Sequence, residues 1–170
     1  MSFSRWIAPL ALIASLTSPA HAAEPDKLTS LSFLLGDWEA VAAKAGDPTG
    51  GCRFASDLGG RVIVRTNHAE YAAAGGRPAT HHEDLMVIYA EGDKVAANYY
   101  DNEGHIIRYA VDTPDASTAV FTTDAAVPGP RFRLTYKKSG DGAVAGTFEI
   151  WKSDAFAPYL TWTLKPAAKK

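Results

Sequence analysis

The chain has 170 residues, 19 acidic against 17 basic, with a formal net charge of −2, an aromatic content of 11% and a single cysteine. A mild acidic balance without basic clusters argues against nucleic acid and against an anionic membrane surface as partners. Cys52 has no second cysteine to pair with, so no intramolecular disulfide forms and stability must come from a packed core, in which Cys52 is expected as a small buried apolar residue.

At the N-terminus Arg5 precedes a run from Trp6 to Leu16, apolar apart from Ser15, then Thr17-Ser18-Pro19 and Ala20-His21-Ala22. A basic start, a short apolar core and a small-x-small site are the pattern of a secretory signal peptide over residues 1–22, cleaved after Ala22. The apolar run is about half of the ~20 residues that span a bilayer, so no retained membrane span is expected. The expected destination is the periplasm or the exterior. Residues 23–170 suit one domain of ordinary size, with no repeat or linker dividing them.

After the polar lead-in Glu24-Pro25-Asp26-Lys27, Leu28 to Leu35 reads as a short helix with Leu31, Leu34 and Leu35 on one face. Thr29 or Ser30 is placed to cap it and Gly36 to end it. From Asp37 the period changes to two. Strands are expected at Trp38–Ala43, Gly51–Ser56, Arg61–Ala69, Glu83–Ala90 and Lys94–Tyr100. Five more are expected at His105–Asp112, Thr118–Thr123, Arg131–Lys137, Ala143–Lys152 and Tyr159–Leu164. Gly59-Gly60, Gly75-Gly76, Gly92-Asp93, Asp101-Asn102-Glu103-Gly104 and Gly140-Asp141-Gly142 supply the turns between them. In Arg131–Lys137 the alternation is cleanest: Phe132, Leu134 and Tyr136 form one face, charged residues and threonine the other. One wet and one buried face per strand is the mark of an antiparallel sheet. About ten such strands in a meander predict an all-β, up-and-down antiparallel barrel with a short N-terminal helix, a β-sandwich being the alternative.

Phe33-Leu34-Leu35-Gly36-Asp37-Trp38 resembles the Leu-x-Gly-x-Trp opening of lipocalin-like (calycin) barrels, in which a short helix leads into the first strand. The resemblance implies that Trp38 packs across the barrel floor. From Leu28 to Leu164, including His82–Tyr89 and Asn98–His105, the chain looks like uncharacterised exported bacterial members of that group. It is also similar to the haem-binding nitrobindin branch but departs from it twice. Trp38 is followed by Glu39-Ala40-Val41 rather than Gly-x-Gly, and the last histidine is His105, leaving none near the C-terminus for haem. No haem or other cofactor is carried over.

His81-His82-Glu83-Asp84 is the densest group of potential metal ligands. Strand alternation puts His82 with Asp84 on one face and His81 with Glu83 on the other. Two ligands do not make a zinc site, and no metal is expected. There is no Gly-x-Ser-x-Gly elbow, no recognisable motif around Cys52, and no phosphate loop or dinucleotide fingerprint in Gly46–Gly51. The informative set is the polar and aromatic residues within apolar strands: Arg65, Asn67, Glu83, Asn98, Tyr100, Arg108, Glu149 and Trp151. Buried polar groups need partners, so members of this set either face water or line a cavity and orient a ligand. Arg65, Glu83, Tyr100, Arg108, Glu149 and Trp151 are the expected ligand-binding residues. The leading expectation is a non-enzymatic binding protein for a small lipophilic or carboxylate-bearing molecule, an arginine pairing the acidic group. The alternatives are an isomerase or hydrolase using a carboxylate–histidine pair such as Glu83 with His105, and an envelope interaction protein with a filled barrel.

Overall fold

Ten strands carry the alternation into three dimensions, in a computed structural model that describes residues 27–42 and 46–168. The signal peptide over 1–22 and most of the polar lead-in lie outside the described residues. The strands are β1 (Gly36–Ala40), β2 (Thr49–Asp57), β3 (Val62–Tyr71), β4 (Thr80–Glu91), β5 (Lys94–Asp101), β6 (Ile106–Asp115), β7 (Thr118–Thr123), β8 (Phe132–Lys138), β9 (Val144–Lys152) and β10 (Ala155–Pro166). Each pairs antiparallel with the next, and β1 pairs with β10 through Trp38↔Pro166 and Ala40↔Leu164, so the sheet closes into a barrel rather than splitting into a sandwich.

All ten expected strands are present, and the largest boundary differences have local causes. The last strand begins at Ala155, four residues before the expected Tyr159, because Ala155-Phe156-Ala157-Pro158 lacks clean alternation. Pro158 cannot donate to the ladder, and the β9–β10 register shifts between Pro158 and Leu160. Pro114 extends β6 in the same way, beside a register shift between Asp112 and Asp115.

The leading helix is a 3-10 helix, Thr29–Leu34, flanked by Leu28 with no side-chain cap. Ser30 Oγ instead donates back to the Lys27 carbonyl at 3.4 Å. The turn ends at Leu35, and Gly36, at φ +132°, opens β1. Leu28, Leu31 and Leu34 are buried in the core, and the Trp38 indole N–H donates to the Leu34 carbonyl at 2.7 Å. That bond and the three leucines plug the barrel end carrying the Asp57–Arg61 and Gly92-Asp93 turns.

Inward-facing residues follow one parity on each strand. Cys52 and Phe54, Ile63 and Arg65, Asp84, Met86 and Ile88, Tyr109 and Val111, Leu134 and Tyr136 are all buried. Edge-to-face contacts link the rings of Phe54, Tyr136, Phe121, Tyr109 and Tyr99 in a chain across the interior, with centroids 5.5 to 6.4 Å apart. Tyr136 also meets Trp162, whose indole lies over Gly146; a Cβ there would sit 2.2 Å from the ring. Among the described residues, no helix is long and apolar enough to cross a membrane.

Candidate functional site

The two ends of the barrel differ in how far water reaches inside. Toward the helix end, inward-facing Ile63, Ile88, Ala119, Val144 and Leu164 are buried. Toward the opposite end, inward-facing Phe132, Phe148, Ile150 and Trp162 on β8–β10 are only half-buried, and Leu160 is 41% exposed. Tyr159, displaced by the bulge, meets Phe148 edge-on at the rim. Tyr71 ends β3 at the same rim, opposite Thr80, and partial burial, with Glu103 and Tyr159 nearby, raises the pKa of its hydroxyl.

The facing wall, β3 to β5, is polar. Arg65 and Asp84 are 4% and 9% exposed and form an ion pair through Nη2 and Oδ1. Arg65 Nη1 donates to the Tyr136 hydroxyl, and Asn67 Nδ2 donates to Asp84 Oδ2 at 2.9 Å. His82 Nε2 lies 3.3 Å from Asp84 Oδ2 and 3.2 Å from the Tyr99 hydroxyl, while Nδ1 lies 3.1 Å from Glu103 Oε1. Tyr99 donates to Asp101 Oδ2 at 3.1 Å, and His105 Nδ1 meets the same oxygen at 2.8 Å. A continuous network thus runs from buried Tyr136 to exposed His105. Among the described residues, Arg65 Nε is the buried side-chain polar atom with no hydrogen-bond partner.

The charges in this network hold one another. Burial alone would raise the Asp84 carboxyl, but Arg65 and the His82 hydrogen bond outweigh it and keep it below the usual carboxylate range. His82 is raised to about 9, chiefly by its hydrogen bond to Asp84, against the opposing effect of burial and with help from Glu103. Partial burial would raise Asp101, yet the backbone and side-chain bonds from His105 and the Tyr99 hydroxyl hold it down. The interior wall is therefore an alternation of fixed opposite charges, not an excess of one sign.

Of the six expected ligand-binding residues, Arg65 faces into the barrel and the other five face out. Glu83 is on the outer face of β4, where Asn102 Oδ1 accepts from its backbone N–H at 3.1 Å. Tyr100 lies on the same outer side of β5, and both residues border a shallow surface concavity of about 680 Å³ with Arg53, Thr66 and Leu85. Arg108 is held on the outside by Glu91, by Asp124 at 3.1 Å and by the Tyr89 hydroxyl at 3.1 Å, the last also bonded by Asn98. Glu149 and Trp151 come together on the outer face of β9 with Arg131, Arg133 and Phe156.

The proposed pairing of Glu83 with His105 is not made: the carboxylate bonded to His105 is Asp101. His82 and Asp84 do share the inner face, as alternation requires. No group of three His, Cys, Asp or Glu side chains is placed to hold a metal among the described residues. Sequence reasoning passed over Asp101 and Tyr136 as site residues and weighed Asp84 only as a potential metal ligand. Their signal was parity with Arg65 across the ladder Arg65↔Met86↔Tyr99, which only the register supplies. No protein-family model matches the chain, and no curated protein matches it.

Proposed function

We propose that the chain is an exported, non-enzymatic binding protein of lipocalin-like architecture, taking a small, partly apolar molecule into the open end of its barrel. One observation carries this reading: inward-facing Phe132, Phe148, Ile150, Leu160 and Trp162 remain accessible to water opposite a wall of paired polar groups. Apolar side chains turned inward yet left half-covered are an unsatisfied surface, and burying it against a ligand gains roughly 25 cal/mol per Å². Polar groups opposite, among them His82 and the Tyr99 hydroxyl, would fix the ligand's orientation. Arg65, already paired with Asp84, supports the polar wall from below more than it offers a free charge.

Native mass spectrometry of protein purified from its own compartment is the direct test, with an adduct of small-molecule mass as the expected result. Replacing Leu160 and Phe148 by Asp would be expected to abolish the adduct while leaving the barrel folded. An empty protein whose melting temperature is unmoved by a broad lipophilic and carboxylate library would defeat the reading.

A second reading, acid–base catalysis at the same mouth, is favoured by the Asp101–His105 pair. Asp101 fixes His105 Nδ1 on a ring that stays exposed, the arrangement an acid–base histidine needs. Turnover of an ester or an isomerisable carbonyl compound that is lost in His105→Gln would select this reading over the first.

A further inference from the structure

We propose that Arg131, Trp151, Phe156 and Arg133 form a second, outward-facing site that binds a monovalent carboxylate carried on an aromatic body. The Arg131 guanidinium lies 4.3 Å from the centroid of the Trp151 ring and 5.7 Å from that of Phe156. Those two rings meet edge to face at 4.9 Å and 81°, so they make a right-angled apolar corner. The other face of the corner is occupied by Arg133, 4.5 Å over Phe156.

The two arginines differ in what they have left to give. Arg133 is forked onto Glu149, Nε to Oε2 at 2.5 Å and Nη2 to Oε1 at 2.9 Å, so its charge is cancelled in place. Arg65 and Arg108 are likewise committed to carboxylates. Among the described residues, Arg131 has ring contacts but no ion pair and no side-chain hydrogen bond, and it is exposed. Stacking holds a guanidinium by its face and leaves its N–H edge free. The usual entropic cost of ordering an arginine on binding is thus largely met before the ligand arrives.

Charge and shape then select the ligand. Arg131, Arg133 and Glu149 sum to one uncompensated positive charge, which matches a monoanion rather than a phosphate dianion. A planar fork of parallel N–H donors matches a carboxylate bidentately. The flanking indole and phenyl surfaces favour an aromatic body over an alkyl one. The site lies on the outer face of β8–β10 at the rim of the open end, with its side chains turned away from the lumen, so it does not depend on the interior reading.

Sodium benzoate is the probe, titrated at constant ionic strength into the full exported chain labelled with nitrogen-15. The Arg131 Nε–Hε and Trp151 indole signals are followed. Saturable shifts of both are expected, with an affinity about tenfold or more above that for benzamide or inorganic phosphate, the difference one charge-assisted fork supplies. Arg131→Gln should abolish the saturation, and Arg131→Lys, which keeps the charge without the fork, should weaken it by a similar factor. Linear, unsaturating shifts would overturn the proposal. So would equal binding in Arg131→Gln, which would place the benzoate elsewhere, as would equal binding of benzamide.

Discussion

Removing one member of the Arg65–Asp84 pair should cost far more than removing both. Both side chains are almost wholly out of water, so Asp84→Ala leaves a buried guanidinium bonded only to the Tyr136 hydroxyl, with Asn67 and His82 losing their acceptor as well. Stranding a buried charge in this way costs about 3–5 kcal/mol. That is a fifth or more of the roughly 5–15 kcal/mol that holds an ordinary domain together. The wild-type pair already carries a liability, since Arg65 Nε is buried without a partner, which costs about 1–3 kcal/mol on its own. Replacing both residues, Arg65→Met with Asp84→Leu, removes the charges and that orphaned donor together. The double variant is therefore expected to be more stable than Asp84→Ala by about 2 kcal/mol or more. Urea unfolding followed by tryptophan fluorescence measures each variant, with Arg65→Met and Asp84→Leu alone completing the cycle. A loss below about 1 kcal/mol for Asp84→Ala, the range of an exposed ion pair, would refute the buried-pair reasoning.

Three further outcomes are expected. His82 has its pKa raised to about 9 by Asp84 and Glu103, so its contribution is complete below the unfolded value near 6.5 and is lost as pH rises through 9. Melting temperature should accordingly fall between those limits in the wild type and vary much less in His82→Gln; parallel profiles would count against the bridge. Gly146→Ala places a Cβ 2.2 Å from the Trp162 indole, and overpacking of this kind costs about 1–3 kcal/mol. Its near-ultraviolet circular dichroism should change as Trp162 shifts, whereas an unaltered spectrum and stability would show that the ring does not rest on the glycine. Cys52 is pushed up to about 11, first by burial, against which the Arg65 charge acts. A thiol-specific disulfide reagent at pH 8 should leave it unmodified in the native protein and modify it fully in urea, and rapid native labelling would contradict its burial.

The fold was legible because it depends on alternation within each strand, and alternation is local. Phe132, Leu134 and Tyr136 declare the inner face of β8 without reference to any other strand, and turns such as Gly59-Gly60 and Gly92-Asp93 mark where neighbouring strands reverse. Where a proline or an alanine run breaks the alternation, as at Ala155–Pro158, the strand start could not be read. The site depends on something less local: which parity of each strand faces inward. In β4, Leu85 to Ala90 is apolar on both sides, so the phase of Glu83 and Asp84 cannot be read within the strand. It is set by Met86 standing opposite Arg65 on one side and Tyr99 on the other. That choice puts Asp84 inside and Glu83 outside, and it puts Tyr99 inside and Tyr100 outside. Chemical distinctiveness in the sequence pointed to Glu83, Tyr100 and Arg108 because each looks out of place in an apolar strand. The register explains them differently: an outward residue needs no buried partner, and Arg108 finds Glu91 and Asp124 at the surface. Polarity against an apolar background thus identifies a strand's unusual residues, whereas the interior network follows from cross-strand phase, which is a property of the closed sheet.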